Sequence, residues 1–169
     1  AMNYSLSSNP IMLEIDDISI GMSYVPHDND DMRDLVDSRA EKGLTTTTYT
    51  CVGMYPNSFS LSNPSESAWS IWYTAAHHAN GFLRWAYDAW VAEPLNDVSF
   101  RTFEAGDRFI VFPGDKDADD PAPCSSPRLE RLADGVRAVN KPRWLAAQDE
   151  QWWQVIEVQL LYLGRRDCT

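Results

Sequence analysis

The chain has 169 residues, which is enough for one ordinary domain with its own core and too few for two. A hydrophobic fraction of 44%, with seven Trp, seven Tyr and six Phe, indicates a packed globular protein and excludes a disordered one. The formal charge of -11 disfavours binding to nucleic-acid phosphates and to anionic membrane surfaces. A neutral ligand fits this charge better.

The sequence carries no sign of a membrane span, a signal peptide or a metal site. No apolar run reaches the roughly 18 residues of a span, and the N-terminus lacks a basic and then apolar layout. The expected compartment is therefore the cytoplasm, unless an N-terminal part is missing. Cys51, Cys124 and Cys168 are too scattered for a disulfide framework or a zinc motif. The acidic runs "DNDD" and "DKDADD" lack the Gly and Glu of a calcium loop, so we expect no metal and no cofactor.

The first half of the chain predicts two strands and a helix between them. "IMLEIDDISIGMSYV" is a strand that Pro26 closes, and "LTTTTYTCVGMY" is a second strand, rich in β-branched and aromatic residues. "HDNDDMRDLVDSRAEKG" is a helix with acids in its first turn and Gly43 as its C-terminal cap. Its buried stripe is predicted to be Met32, Leu35, Val36 and Ala40.

A second helix and two further strands are predicted next. "SNPSESAWSIWYTAAHHANG" begins a helix with Asn63 as N-cap and Glu66 three residues later. "GFLRWAYDAW" predicts the third strand, on which Arg84 and Trp85 face opposite sides, and "DRFIVFPG" predicts the fourth.

The rest of the chain predicts two helices. Ser126 opens the first, and Pro142 is expected to break it. The second is predicted from Gln148 to Leu163, with apolar residues around much of its circumference, so it must be buried on several sides or meet another chain.

Alternating strands and helices predict an α/β fold with parallel strands and helices outside. Residues 1–140 form this unit in our interpretation, and residues 141–169 form a helical tail that is a candidate association segment. A complete (β/α)8 barrel takes about 250 residues, so the pattern allows part of a barrel or a small open sheet.

Side chains at the carboxyl ends of the strands form the candidate site, because in such folds these ends meet on one rim. Aromatic faces there stack on the C–H faces of sugar rings, and polar edges bind hydroxyls. Two alternatives stay open: some of the rings belong to a Trp-rich core, and Asp88 either contacts the ligand or pairs with Arg84 or Arg101. Tyr24, His27 and Cys51 lie on the same rim. The predicted sugar-binding residues are Tyr49, Tyr55, Asn57, Trp85, Tyr87, Asp88 and Trp90.

No catalytic constellation is evident. Hydrolysis of a glycosidic bond usually needs two carboxyl groups across the bond, and neither the adjacent Asp16 and Asp17 nor Asp88 offers a convincing pair. His77 and His78 are predicted to be surface or cap residues. No Ser–His–Asp set, phosphate loop or dinucleotide fingerprint is present, so the catalytic residues are unknown.

From about Asp16 to Val136 the chain resembles the C-terminal part of the bacterial glycoside hydrolase family 123-like proteins. The resemblance rests on "YTCVGMYPNSFSLSNPSESAWSIWYTAAHHANGFLRWAYDAW", "EPLNDVSFRTFEAGDRFIVFPG" and "SSPRLERLADGV", which occur in the family's order. It implies the C-terminal half of a TIM (β/α)8 barrel that acts on β-linked N-acetylhexosamines. It also implies an adjacent Asp–Glu pair, with Glu as general acid and Asp orienting the substrate's acetamido group.

The family's Asp–Glu pair normally precedes the segment present here. The Asp149–Glu150 dipeptide lies in the tail and does not match it. The resemblance therefore implies a barrel fragment that contributes a sugar-binding wall and lacks the catalytic acids. The alternative is a non-catalytic association module, in which two chains form a homodimer through sheet edges and tail.

Overall fold

A parallel sheet of three strands, with helices against one face, organises the chain. The computed structural model describes residues 10–22, 29–51, 53–115, 117–119, 121–148, 151, 153–156 and 158–159. In chain order the elements are a 3-10 turn (Pro10–Leu13), β1 (Asp17–Gly21), α1 (Asn29–Glu41), β2 (Thr45–Tyr49), α2 (Pro64–Ala76), β3 (Gly81–Phe82) and α3 (Pro127–Ala146). The described residues from 151 to 159 are also helical.

The strands lie in the order β1-β2-β3, and both pairs are parallel. Ile20 pairs with Thr48, and Thr48 pairs with Phe82, so these side chains point to one face. That face meets the helices: Thr48 Oγ1 lies 2.6 Å from Thr74 Oγ1 of α2. Within the described residues no helix packs against the opposite face. That face presents Asp17, Ser19, Thr45, Thr47, Tyr49 and Gly81, most of which are small or polar. The parallel α/β architecture expected from the sequence is confirmed.

The core between β1 and α1 is apolar except at one position. It contains Ile20 and, from α1, the predicted Met32, Leu35 and Val36. Ala40, predicted to complete the stripe, is exposed, and Arg39 is fully buried instead. The stripe was therefore misassigned at its last member.

Arg39 bonds the chain segments that enter the sheet. Its Nε donates to Thr46 Oγ1 at 2.8 Å. Its two Nη atoms donate to four main-chain carbonyls, those of Met12, Ile15, Asp16 and Thr45. One guanidinium therefore ties the 3-10 turn to the starts of β1 and β2.

Caps set the beginnings of the second and third helices. Asn63 Oδ1 accepts from the Ser65 backbone N–H, and Glu66 Oε1 accepts from the Asn63 N–H at 2.9 Å. Ser126 Oγ accepts from the Leu129 N–H at 3.2 Å at the start of α3. Both starts agree with the predicted capping residues.

The expected break at Pro142 is wrong, because α3 continues through it to Ala146 and crosses the predicted boundary at residue 140. Proline removes only one intrahelical hydrogen bond. Here it lies one turn from the helix end, where few bonds remain to be lost, and its ring is buried.

Two predicted strands do not form as expected. The third pairs with the sheet only over Gly81–Phe82, and "DRFIVFPG" makes no strand within the described chain, only the isolated antiparallel bridges Asp88↔Phe109 and Phe112↔Cys124. Side chains satisfy backbone groups that a ladder would have used: Trp90 Nε1, for example, donates to the Val111 carbonyl at 2.7 Å. The aromatic composition of both segments is typical of strands, but apart from Gly81–Phe82 they form two loops that lie against each other.

The helices α2 and α3 pack closely through small residues. A Cβ added at Gly135 would lie 2.9 Å from the Ala68 carbonyl oxygen, so only glycine allows this approach. Among the described residues there is no helix whose length and apolar character would let it cross a membrane.

Candidate sugar-binding site

Two cavities adjoin each other at the carboxyl ends of the strands. Tyr49 ends β2, and Trp85 follows β3 three residues after its end. Both side chains line both cavities and so lie between them. The larger cavity is about 410 Å³ and runs along β1, with the lining Met12, Ile15, Asp17, Ile18, Ser19, Ile20, Gly21, Tyr49, Leu83 and Trp85. The smaller is about 220 Å³ and is lined by Tyr49, Thr50, Cys51, Trp85, Phe103 and Asp107.

The Trp85 indole is fixed at its edge and open on its surface. It is 51% exposed. Its Nε1–H lies 3.2 Å from both carboxylate oxygens of Asp107. Phe103 stacks beside it, with ring centroids 5.5 Å apart and an angle of 25° between the planes. The polar edge of the indole is therefore satisfied while its apolar face stays accessible at the cavities.

Asp107 also binds Arg84. Both side chains are more than nine-tenths buried, and Arg84 Nη2 donates to Asp107 Oδ1 at 3.0 Å and to the Asp107 carbonyl. Burial lowers the pKa of Arg84, while the charge of Asp107 raises it. Arg84 Nε is buried and has no hydrogen-bond partner among the described residues.

Arg128 of α3 completes the buried cluster. Its Nη1 donates to the carbonyls of Ser58 at 2.9 Å and Gly106 at 2.6 Å. Burial lowers its pKa to about 10; the neighbouring Arg84 acts in the same direction, and Asp107 acts against it. One carboxylate therefore lies near two buried cations and one indole N–H.

The two carboxylates at the cavities differ in how they are engaged. The carboxylates that line the cavities are Asp17 and Asp107. Asp107 is occupied by Arg84 and Trp85, and Asp17 belongs to β1 within the larger cavity. A general acid needs a proton to give and a position beside the scissile bond, and Asp107 is engaged as an acceptor from two donors.

The structure brings only part of the predicted set to the cavities. Tyr49 and Trp85 lie there, whereas Tyr55, Tyr87 and Trp90 are exposed and line neither cavity. Asn57 is buried and structural, since its Nδ2 donates to the Cys51 carbonyl at 2.9 Å.

Asp88 and the residues around it differ from their predicted positions. Asp88 is exposed and bridges Phe109 through the backbone, while Arg84 pairs with Asp107. The prediction that Arg84 and Trp85 face opposite sides is wrong, because both side chains converge on Asp107. They lie beyond the end of β3, where strand alternation does not apply.

Among the cavity residues that the sequence did not predict, Asp107, Phe103 and Leu83 lie beside Tyr49 and Trp85. Asp107 follows a glycine in the "AGD" turn, and an aspartate at such a position is usually exposed to solvent. The signal available in the sequence was the glycine itself. In the structure Gly106 has a φ of +78° and no room for a Cβ beside Arg128 and Ser60, as a close-packed turn requires.

The prediction that His77 and His78 are surface or cap residues is confirmed in part. His77 is the C-cap of α2, as predicted, but it is 1% exposed and its Nδ1 donates to the Tyr73 carbonyl at 2.8 Å, so it is a buried cap and not a surface residue. His78 is partly exposed, and its Nδ1 lies 2.8 Å from Asp37 Oδ1. Tyr24 and His27, also predicted for the rim, lie outside the described residues.

No group of three His, Cys, Asp or Glu side chains in the described ranges is arranged to hold a metal ion.

The comparisons with known proteins agree on one family. The model of the glycoside hydrolase 123 catalytic domain matches residues 2–145. A solved structure of a family 123 glycoside hydrolase from Clostridium perfringens, described as giving the details of glycolipid glycan hydrolysis, is 42% identical with a TM-score of 0.87. The match covers 96% of this chain and 28% of that one. No curated protein matches. The chain therefore belongs to the glycoside hydrolase family 123 catalytic-domain family and spans just over a quarter of its solved relative.

Proposed function

We propose that this chain provides the sugar-binding wall of a family 123 glycoside hydrolase domain and binds a β-linked N-acetylhexosamine. The observation that carries the proposal is the half-exposed Trp85 indole, which lies between two cavities with its N–H satisfied by buried Asp107. Tyr49 adds a second aromatic side chain at the same boundary. Sugar rings bind proteins through aromatic faces with polar groups at the edges.

The sheet supports the barrel part of the proposal. Its helices lie against one face, and its other face carries small and polar residues beside the larger cavity. In a (β/α)8 barrel the helices are outside and the strand side chains fill the interior. We propose that the bare face belongs to such an interior, which further strands of a family 123 domain would complete; the match covers 28% of the solved relative.

Catalysis belongs to the same proposal. The one Asp–Glu dipeptide of the sequence, Asp149–Glu150, lies in the tail and outside the described residues, and Asp107 is engaged in the buried cluster. We propose that this chain alone binds without hydrolysing and that the acids come from another segment.

Replacing Trp85 by Ala is expected to weaken binding of methyl N-acetyl-β-galactosaminide at least about tenfold, because the stacking surface is lost. Titration calorimetry or saturation-transfer NMR measures the affinity. Trp144→Ala is the matched control: this Trp is 67% exposed and lines neither cavity at the rim.

Equal sugar affinity of the Trp85→Ala chain and the unsubstituted chain would contradict the proposal that the Trp85 indole stacks on the sugar. A parallel assay with a chromogenic N-acetyl-β-galactosaminide is expected to show only the buffer rate. Turnover above that rate would contradict the absence of the acids, and Asp17 would be the first residue to replace.

A second candidate function, association into a homodimer, has its own supporting observation. Val136, Trp144 and Leu145 of α3 are exposed. Trp144 and Leu145 line a cavity of about 420 Å³ together with Arg137, Asn140 and Lys141. This basic and aromatic surface lies on a chain of net charge -11, so a second acidic copy is electrostatically complementary to it.

The dimer predicts that Trp144→Glu yields a monomer, because a carboxylate would be buried against the partner. Light scattering after size exclusion gives the mass. Leu95→Glu is the control, at another exposed apolar residue distant in sequence. A monomeric unsubstituted chain, or a dimer that survives Trp144→Glu, would rule out this surface as the interface.

A further inference from the structure

We propose that Asp107 is a positioning residue, which holds the Trp85 indole in the orientation that presents its face to a sugar. The inference rests on the proposed function of Trp85 and adds the residue that controls it. Asp107 touches the ligand-binding side chain through its carboxylate, and it is itself 5% exposed. It therefore acts through Trp85 and not as a primary sugar ligand.

The hydrogen-bond geometry fixes the plane of the indole. Nε1–H lies at the same distance, 3.2 Å, from both Asp107 oxygens, so the indole edge points between them. Phe103 stacks on the ring from the side of the smaller cavity. An edge contact and a face contact together restrain both side-chain torsions of Trp85, leaving the remaining surface open. Such restraint removes the entropy that a mobile indole would lose when a sugar binds.

The carboxylate is in turn held by charges. Arg84 Nη2 binds Asp107 Oδ1 and the Asp107 carbonyl, which fixes both the side chain and its backbone. Arg128 binds the carbonyl of the preceding Gly106, whose φ of +78° and lack of a Cβ allow that approach. Arg84 and Trp85 both donate to this carboxylate, so its oxygens are held in place by two donors.

The indole N–H of Trp85 gives a readout that does not depend on sugar. In chains labelled with ¹⁵N-tryptophan, the Trp85 indole signal is the one that disappears in Trp85→Phe. We expect its hydrogen exchange to be at least about tenfold slower than in the same chain unfolded in urea, because it is bonded to a buried carboxylate. In Asp107→Asn we expect the signal to shift and its exchange to accelerate.

Sugar affinity then tests the consequence. Asp107→Asn keeps the size of the side chain, and Trp85→Phe keeps an aromatic face while removing the N–H. Each is expected to weaken methyl N-acetyl-β-galactosaminide binding about fivefold, and the double variant is expected to be no weaker than either single one, because both break the same contact. A merely structural carboxylate would give additive losses.

The outcomes separate this inference from the proposed function. Fast exchange of the Trp85 indole in the unsubstituted chain, an unaltered signal in Asp107→Asn, or additive losses of affinity would overturn the positioning role. Failure of the unsubstituted chain to bind the sugar would overturn both the proposed function and the predicted effect on affinity. The indole exchange would still show whether Asp107 holds the Trp85 N–H. If Asp107→Asn does not fold, the exchange measurement on the unsubstituted chain decides alone.

Discussion

Replacing Arg39 by Met is expected to lower the free energy of unfolding by about 3–5 kcal/mol, the range for removing one partner of a buried charged network. Arg39 is fully buried and its guanidinium binds Thr46 Oγ1 and four backbone carbonyls. Methionine fills a similar volume without any donor. Four main-chain carbonyls would then lose their charged donor. A buried acceptor left unpaired, such as the Met12 carbonyl, costs about 1–3 kcal/mol, whereas the other three bonds are only partly buried and Asp16 keeps the Thr45 N–H as a donor.

Urea unfolding followed by circular dichroism measures this loss. Arg39→Lys is expected to recover only part of the stability, because an ammonium has three donors and lacks the planar fork that reaches several carbonyls. Arg137→Met is the matched control on α3. Arg137 is exposed and forms an ion pair with Asp134 at 3.0 Å, so its loss should cost less than about 0.5 kcal/mol. Equal losses of unfolding free energy in Arg39→Met and Arg137→Met would mean that the Arg39 guanidinium does not stabilise the starts of β1 and β2.

Local signals in the sequence predicted the helices well. Asn63 with Glu66, and Ser126 with Pro127, are capping patterns whose partners lie within three residues, so no tertiary information was needed to locate α2 and α3. The starts of both helices are therefore confirmed. The alternation of these helices with the β-branched "TTTTY" run was also enough to predict a parallel α/β sheet.

The strands were overpredicted because aromatic composition does not determine backbone pairing. "GFLRWAYDAW" and "DRFIVFPG" have the residues of strands. They nevertheless pair with each other only through a few backbone bonds around the Asp88↔Phe109 bridge, such as the Ile110 N–H to the Tyr87 carbonyl, and through the Trp90 side chain. Whether a backbone group pairs with a neighbouring strand depends on residues far away in sequence. Trp90 and Val111, for example, are 21 positions apart.

The same limit applies to the buried charges. Arg39 lies on a helix rich in acids, and Asp107 in a polar turn, and both positions are ordinary for solvated side chains. Their partners are carbonyls and an indole brought together only by the fold. Tyr49 and Trp85 were predictable as rim residues, since the ends of parallel strands share one edge, whereas the residue that fixes Trp85 was not.

His77 is the origin of the last prediction, a stability that falls in mild acid. Its imidazole is 1% exposed, donates from Nδ1 to the Tyr73 carbonyl at 2.8 Å and lies 4.5 Å from the Tyr73 ring. Burial lowers its pKa to about 4; the Tyr73 bond opposes this shift, and the nearby Arg33 and His78 reinforce it. The folded chain therefore keeps His77 neutral well below the pH at which the unfolded chain protonates it.

The sign follows from proton linkage. A histidine in an unfolded chain titrates near pH 6.5. Between about pH 6.5 and pH 4, His77 is therefore protonated in the unfolded chain and neutral in the folded chain. The stabilisation is fully present above that window and is lost as the pH falls through it. The loss from His77 amounts to about 2 kcal/mol between pH 7 and pH 5 and about 3 kcal/mol by pH 4.

Urea unfolding of the unsubstituted chain and of His77→Gln, each at pH 7 and pH 5, isolates this contribution. Glutamine keeps a donor for the Tyr73 carbonyl and cannot be protonated, so its stability is expected to fall by about 2 kcal/mol less over the same interval. Carboxylates titrate equally in both chains and cancel in the difference. His78→Gln is the control, because His78 is partly exposed beside Asp37 and its replacement should leave most of the acid sensitivity in place. A His77→Gln chain that loses as much stability as the unsubstituted one would show that His77 is protonated in the folded protein, and that the end of α2 opens to water before the rest of the fold.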